Sequence, residues 1–130
     1  MKLSFNKAEK LKSKKQIEQL FQKGSQAFIY PFKIIWLFPG QSSEVRAKVL
    51  VGASRKSLKK ATDRNKMKRR MREAYRRNKT ALLESLTRTN SYCNIGIIHV
   101  GKEISAFKET EKRIIELLNR LIQDNEKSSG

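Results

Sequence analysis

The sequence predicts an α+β fold, a two-layer sandwich in which helices cover one face of a small mixed sheet. Two segments, 27–38 and 45–53, are rich in alternating β-branched and aromatic residues, and a shorter apolar run covers 92–100. Amphipathic helical patterns stand before, between and after these segments. The predicted order is therefore α-β-β-α-β-α, and the helix between the second and third strands carries most of the net positive charge.

The composition indicates one nucleic-acid-binding domain that spans residues 1–130. A hydrophobic content of 38% in 130 residues supports one modest core. The 30 Lys and Arg residues face only 12 Asp and Glu residues, so the net charge is +18. A compact body with that charge repels itself, and a polyanionic partner relieves the repulsion. The polar ends, 1–12 and 124–130, are expected to be flexible.

Several classes of protein are excluded by what the chain lacks. Residues 1–15 have no apolar core of signal-peptide length, and no segment reaches the roughly 18 apolar residues of a membrane span, so we expect a cytoplasmic protein with no membrane partner. Cys93 is the only cysteine, which excludes an internal disulfide and a zinc site built on several cysteines. His99 is the only histidine, and we expect it to be structural rather than catalytic.

The first helix is predicted to begin after Ser13, a favourable N-cap, and to continue to about Lys23. Gly24 is expected to end this helix in the manner of a C′ glycine. The last helix is predicted over 104–123, where large apolar residues recur at helical spacing.

The aromatic segment 27–38 is expected to form one strand. Pro31 has no amide hydrogen to donate, so the first half of this strand should be an edge or bulged segment. The turn-like residues 39–44 lead to the 45–53 strand, and the two strands are expected to pair as a hairpin. Strict alternation would place six side chains on one face of the first strand: Phe28, Tyr30, Phe32, Ile34, Trp36 and Phe38.

The most basic segment, RNKMKRRMREAYRRNK at 64–79, is predicted to lie in one helix over 62–87, capped by Thr62 or Asp63. Turning this helix at about 100° per residue separates an apolar face from two cationic rows. The apolar face, which should dock on the sheet, consists of Met67, Met71, Ala74, Tyr75 and Leu82. The row that borders it consists of Asn65, Lys68, Arg69, Arg72 and Arg76, and the row expected to point away consists of Lys66, Arg70 and Arg77.

A basic helix face is usually no more than a solvated surface. The charge of this segment favours nucleic-acid binding instead. Residues 55–79 contain 13 Lys and Arg against 2 acids. Like charges four residues apart each destabilise an isolated helix by a few tenths of a kcal/mol, and few acids offset them here. Arginine, with its planar fork, outnumbers lysine over 64–77 and suits phosphate oxygens, while the amide of Asn65 can both donate and accept.

The segment RNKMKRRMREAYR resembles the RNR signature of the bacterial ribonuclease P protein component family, in which Arg-Asn is followed by Lys-Arg, Arg-Glu and Arg. The upstream stretches GASRKSLKKAT and LKSKKQIEQLFQKG resemble the family's strand end with its basic lead-in and the family's first helix. In motif, the resemblance covers about residues 9–80. The signature positions are Arg64, Asn65, Lys68, Arg69, Arg72, Glu73 and Arg76.

The resemblance implies a protein subunit that forms a 1:1 complex with a large catalytic RNA. That complex removes the 5′ leader of precursor tRNA, and the RNA holds the active site and the Mg²⁺ ions, with a weak protein-proximal Mg²⁺ site as an open possibility. The resemblance also implies a left-handed βαβ crossover that contains the basic helix. The RNA-binding residues it implies are Arg55, Lys56, Lys60, Arg64, Asn65, Lys68, Arg69, Arg72 and Arg76.

The resemblance further implies a cleft for the single-stranded leader, between the first helix and the sheet, at Ile17, Phe21 and Ile35. The family often has aromatic residues where Ile17 and Ile35 stand, and both are aliphatic here. The SRKSLKKATDRN loop also has one residue more than in many relatives and lacks their glycine after the basic pair.

Two other functions share a strongly basic helix with this chain. A non-enzymatic RNA-binding protein, of the ribosomal or RNA-chaperone type, fits the charge equally well, and only the ordered signature with its upstream helix favours ribonuclease P. A leucine-zipper basic region would need leucine heptads after the basic helix. Because Leu82, Leu83 and Leu86 lead instead into Asn90 and a strand, no DNA partner is expected.

Overall fold

A computed structural model describes residues 5–129 of the protein, the last two by their backbone alone, and the expectations for residues 1–4 and 130 lie outside it. The sheet order is β1-β2-β4-β3; β2 pairs with β1 and with β4 antiparallel, and β3 pairs with β4 parallel. The mixed sheet and the α+β class are confirmed. The strands are β1 (Ser25–Ile29), β2 (Phe32–Leu37), β3 (Ala47–Ala53) and β4 (Cys93–His99), and the helices are α1 (Lys14–Lys23), α2 (Ala61–Asn78), α3 (Thr80–Arg88) and α4 (Phe107–Ser129).

The 27–38 segment forms two strands rather than the one expected. Residues Tyr30 and Pro31 make a turn, with a cis peptide bond between them, and β1 folds back on β2 as the edge strand. The expected hairpin between the 27–38 and 45–53 segments is wrong, because β4 lies between β2 and β3. Local alternation marks a strand, but it carries no information on which strand will be its neighbour.

The turn also reverses part of the predicted face. Residues directly opposite each other in an antiparallel pair project to the same side of a sheet. Ile29 lies opposite Phe32, and both contact the main core, whereas Phe28 lies opposite Lys33 on the other face. Strict alternation would have kept Phe28 and Phe32 together, and that expectation is wrong.

Two apolar clusters hold the layers together. The main core lies between one face of the sheet and helices α2, α3 and α4. A smaller cluster lies on the opposite face, where Leu11 and Leu20 cover Ile35. Helices were expected on one face only, and α1 instead packs on the other. Trp36 belongs to the main core, and its indole Nε1 donates a hydrogen bond of 2.7 Å to Asp124 Oδ2.

Helix α1 has the predicted bounds. The Ser13 hydroxyl accepts a hydrogen bond from the Gln16 amide at its start, and the Gly24 amide donates to the Leu20 carbonyl at its end. Gly24 has φ of −69°, so it is not the left-handed C′ glycine that was expected. A Cβ atom there would lie 2.5 Å from the Leu20 carbonyl oxygen and 2.7 Å from Ile35 Cγ2. Close approach to the sheet is therefore what requires glycine.

The predicted 62–87 helix is two helices that meet at Lys79. The Asn78 side-chain amide donates to the Ala74 carbonyl at 2.8 Å, and the backbone of Lys79 has φ of −80° and ψ of −12°. Lys79 and Glu9 are both buried, and their side chains form an ion pair. Glu9 ends a short 3-10 helix, Lys7–Glu9, so the pair ties the N-terminal segment to the α2–α3 junction.

Both ends of the chain contain ordered contacts where flexibility was expected. Leu11 is buried, and Lys10 forms a parallel bridge with Val49 beside β3. Helix α4 does not end at 123 but continues to Ser129. Its Asn125 side chain is buried and donates to the Ser85 hydroxyl at 2.9 Å, which fastens α4 to α3.

The buried pair gives a first prediction. Glu9→Gln removes the carboxylate charge beside the Lys79 ammonium and should lower the free energy of unfolding by about 3 kcal/mol, because losing one member of a buried ion pair is strongly destabilising. The double variant Glu9→Gln/Lys79→Met should recover much of that loss. Urea unfolding measures both. Glu84→Gln, an exposed change of the same type in α3, is the control, and an equal loss in it would contradict the prediction.

His99 gives a second prediction. Its imidazole is fully buried beside Phe32, and neither ring nitrogen has a hydrogen-bond partner among the described residues. Burial lowers the pKa of His99 below its ordinary 6.5, although a backbone interaction with Glu103 opposes the shift. The unfolded chain therefore binds this proton more readily than the folded chain. The stability should fall as the pH drops through and below 6.5.

The measurement is the free energy of unfolding as a function of pH, for the protein and for His99→Leu. Other groups titrate in both proteins, so the difference between the two curves isolates the imidazole. The curve of His99→Leu should be flatter between neutral and mildly acidic pH, and parallel curves would exclude the assignment.

Candidate nucleic-acid interface

The interface begins in the loop between β3 and α2. Arg64 Nη1 donates to the carbonyls of Leu58 and Lys59, each at 2.8 Å, so its guanidinium group closes the loop onto the first turn of α2. Leu58 is buried beneath it. The remaining predicted cations of this loop, Arg55, Lys56 and Lys60, are exposed to solvent.

The central part of α2 forms the first groove. The carboxamide of Asn65 lies among cationic side chains one helical turn apart, at the exposed surface of the helix. This arrangement offers donors for phosphate oxygens and one group that can both donate and accept. The first groove is lined by Thr62, Asn65, Lys68, Arg69 and Arg72.

A second groove adjoins the first along the same helix, against the N-terminal segment. The Phe5 ring packs edge-on against Tyr75, with 5.6 Å between ring centroids, and the Lys10 ammonium lies 5.9 Å from the Phe5 centroid. Lys10 and Phe5 were not predicted as site residues. Their sequence neighbourhood is merely polar, and only the bridge to β3 brings them beside α2. The second groove is lined by Phe5, Lys10, Arg69, Arg72, Glu73 and Arg76.

Within the second groove, one predicted cation is held by an acid. The Arg76 side chain donates to both carboxylate oxygens of Glu73, and the Nε contact is 3.1 Å. This hydrogen bond lowers the pKa of Glu73, with a smaller opposing effect from desolvation. Glu73 therefore sets the orientation of the Arg76 guanidinium group within the second groove.

The buried face of α2 is as predicted, and the outer cationic row borders α4. Met67, Met71, Ala74 and Tyr75 are fully buried against the sheet. In the row expected to point away from this face, Arg77 is exposed and Arg70 is half-buried beside α4. There, Arg70 donates to the Ser105 carbonyl, and Arg77 lies 3.5 Å from a Glu111 oxygen and 5.3 Å from the Phe107 centroid. Lys66, the third member of this row, is exposed as well.

The excess charge is confined to the first hundred residues. Residues 101–130, which include α4, contain six Lys and Arg and six Asp and Glu. The net charge of +18 therefore resides in residues 1–100. The positive charge is therefore concentrated in the part of the chain that contains α2 and its grooves, and α4 carries no net charge.

The predicted leader cleft is only partly open. Ile35 is 1% exposed and lies beneath Leu20, while Ile17 is half-buried against the same cluster. Phe21, on the exposed side of α1, keeps 45% of its surface accessible. Among the three predicted cleft residues, Phe21 therefore presents an aromatic ring to a ligand.

The described residues contain no group of three His, Cys, Asp or Glu side chains placed to hold a metal ion. Asp63 is not the helix cap, because Lys60 occupies that position and Asp63 lies in the first turn, where a negative charge favours the helix dipole. Cys93 is a buried free thiol, and burial raises its pKa. Across the described part of the chain, no helix is long and apolar enough to cross a membrane.

Known proteins are similar to this chain in sequence and in fold. Residues 5–122 match the family model described as Ribonuclease P. The ribonuclease P protein component of Porphyromonas gingivalis is 28% identical over 116 residues, which cover 89% of this chain and 85% of that protein. Among solved structures, the RNase P protein of Thermotoga maritima is 26% identical with a TM-score of 0.66, covering 86% of this chain and 96% of that one. The RNase P protein of Staphylococcus aureus, at 18% identity, shares the fold with a TM-score of 0.70 and covers 88% and 96%.

The grooves give a third prediction. Lys68→Ala and Arg72→Ala should each weaken binding to structured RNA and reduce the slope of log K against log salt by roughly one unit, because each lost phosphate contact releases one counterion fewer. Filter binding over a range of salt concentrations measures the slope. Lys66→Ala removes the same charge from an exposed position of α2 outside both grooves and is the matched control.

Arg64→Ala should also weaken RNA binding, but it removes the loop contacts to Leu58 and Lys59 as well, so its effect has two causes. If the slope of log K against log salt is the same for Lys66→Ala, Lys68→Ala and Arg72→Ala, the grooves are not the phosphate-binding surface.

Proposed function

The chain belongs to the ribonuclease P protein family, and we propose that it acts in the ribonucleoprotein by binding the catalytic RNA and the 5′ leader of precursor tRNA. The observation that carries this proposal is the first groove. Signature residues Asn65, Lys68, Arg69 and Arg72 line one continuous surface, in a chain that matches the family over residues 5–122. The protein is thus a subunit of ribonuclease P, an endoribonuclease that hydrolyses one phosphodiester bond to produce the mature tRNA 5′ end.

The proposal places the chemistry on the RNA and the binding on the protein. It is supported by the burial of His99, which has no path to a phosphodiester bond, and by the cationic character of the two grooves. Lysine and arginine side chains in these grooves neutralise phosphate oxygens and hold RNA segments together against their repulsion. A single copy of the chain presents both grooves, which fits a 1:1 complex in the cytoplasm.

Magnesium belongs to the RNA in this proposal. The donor sets of the described residues do not fit a protein-held Mg²⁺, since the first-turn carboxylate of Asp63 stands beside Arg64 and Lys66 rather than beside other acids. No step of the reaction is therefore assigned to a metal on the protein. When bound by the RNA, Mg²⁺ would supply the charge stabilisation and the activated water of hydrolysis.

The two RNA partners are proposed to meet different elements. The grooves of α2 and the loop cations Arg55, Lys56 and Lys60 suit the double-stranded and folded parts of the catalytic RNA, because they offer phosphate contacts. The exposed ring of Phe21 suits the leader, because unpaired bases stack on aromatic side chains. The alternative of a non-enzymatic RNA-binding protein accounts for the charge, but nothing in it accounts for a family match over residues 5–122.

Reconstitution tests the proposal. The protein alone should cleave nothing. Added to a bacterial ribonuclease P RNA, it should lower the Mg²⁺ concentration needed to process precursor tRNA, because its cations replace part of the metal's charge neutralisation. The measurement is the cleavage rate of a labelled precursor as a function of Mg²⁺ concentration.

The reference is the same RNA without protein at high Mg²⁺, and the Porphyromonas gingivalis relative serves as a positive control. Variants with an intact fold, such as Lys66→Ala, should behave like the unmodified protein. If several bacterial RNA subunits show no change in rate or in Mg²⁺ demand, while the protein still binds RNA, the non-enzymatic alternative would be favoured instead.

A further inference from the structure

Two aromatic side chains at the β1–β2 hairpin are exposed. Phe28 keeps 54% of its surface accessible and Tyr30 keeps 64%, the largest values among the exposed large hydrophobic residues of the described chain. Their ring centroids are 6.3 Å apart with an interplanar angle of 61°, so the rings contact each other edge to face. Single exposed hydrophobic residues are normal on a protein surface, but two aromatic rings in contact form a patch.

The register of the sheet shows what the patch adjoins. Phe28 lies opposite Lys33, Lys33 opposite Ile98, and Ile98 opposite Gly52, so these four residues form one row across all four strands. The row lies on the face of the sheet that α1 occupies, and its last three members are half-buried. Gly52 lies two residues before Ser54, where the basic loop begins.

Helix α1 covers the neighbouring row and not this one. That neighbouring row contains Ile35, Gly96 and Leu50, and Leu20 lies against it, since its Cδ2 atom is 3.4 Å from where a Gly96 Cβ would stand. The row that contains Phe28 lies two residues further along each strand, roughly 7 Å from the row under α1. The hairpin aromatics therefore adjoin a part of the sheet that lies outside the apolar cluster under α1.

The charge near the hairpin suits an anion. No Asp or Glu occurs between residues 19 and 43, whereas Lys33 lies directly across from Phe28. An exposed aromatic pair beside a cation has the chemistry that single-stranded nucleic acid requires, because bases stack on the rings while phosphates pair with the cation.

We propose that Phe28 and Tyr30 form a stacking platform for unpaired bases of the 5′ leader, with Phe28 on the face of the sheet that α1 occupies and not on the face that α2 covers. This inference rests on the proposed function. The platform supplies stacking surface that Ile17 and Ile35 do not, since both are aliphatic and Ile35 is covered by α1. Stacking tolerates any base, so the platform discriminates leaders by length rather than by sequence.

The test uses the reconstituted holoenzyme with Phe28→Ala/Tyr30→Ala and precursor tRNAs whose leaders are shortened stepwise from the 5′ end. For long leaders, the double variant should bind substrate about tenfold more weakly than the unmodified holoenzyme, as loss of one stacked base predicts. For the shortest leaders, the two holoenzymes should bind equally. The aromatic variant Phe28→Tyr/Tyr30→Phe should restore the dependence on leader length.

The control is Ile115→Ala, which removes an exposed apolar side chain from α4, 37% accessible, and should leave binding unchanged at every leader length. Thermal unfolding checks that each variant is folded. An equal loss for long and short leaders, or no loss at all, would overturn the platform. A second outcome would also overturn the platform: the free protein self-associates, the alanine variant does not, and leader binding is the same in both. The patch would then be assigned to contact with a second copy of the chain.

The two proposals fail in different ways. A wild-type holoenzyme that does not assist cleavage of any precursor would remove the proposed function and the platform with it. If the wild-type holoenzyme assists cleavage but depends on leader length in the same way as the alanine variant, the platform alone is contradicted.

Discussion

Helix α2 must hold a dense set of like charges beside a fully buried stripe, and most of the structure serves that requirement. Each like-charged pair costs a few tenths of a kcal/mol, whereas each large apolar side chain that is buried stabilises by about 1.5–3 kcal/mol. Met67, Met71 and Tyr75 are completely buried, so the stripe outweighs the repulsion and keeps the cations in register. The segment before α4 accepts a hydrogen bond from Arg70, and α4 itself contacts Arg77, while other cations of α2 line the two grooves.

The N-terminal segment completes the interface from the other side. Glu9 pairs with Lys79 at the junction of α2 and α3, and the segment next to it brings Phe5 and Lys10 against the helix. The Phe5 ring thereby lines a second groove along the cationic helix. The same tether limits how far the interface can rearrange, because an ion pair taken out of water is costly to separate.

Much of the fold follows from local patterns. The bounds of α1, the buried stripe of α2, the burial of Trp36 and the strands near 47–53 and 93–99 were predictable, because helix and strand periodicity are properties of the backbone over a few residues. The two-strand hairpin was not, since Pro31 is the only interruption in a run of β-forming residues and fits a bulge as well as a turn. The site was predictable as a cationic helix with an ordered signature. Which of its cations line the grooves and which contact α4 was not predictable.

The sequence by itself determined that the chain is an α+β protein with one face of α2 buried and another cationic. Charge and amphipathicity depend only on which residues occur and on their spacing along the chain. Only the tertiary structure decided which cations stay available, which partner Glu9 finds 70 residues away, and on which face Phe28 emerges. Those outcomes depend on contacts between elements far apart in the chain. A turn of two residues at Tyr30 and Pro31 reverses the strand, and the pairing register then sets the face of every side chain on β1.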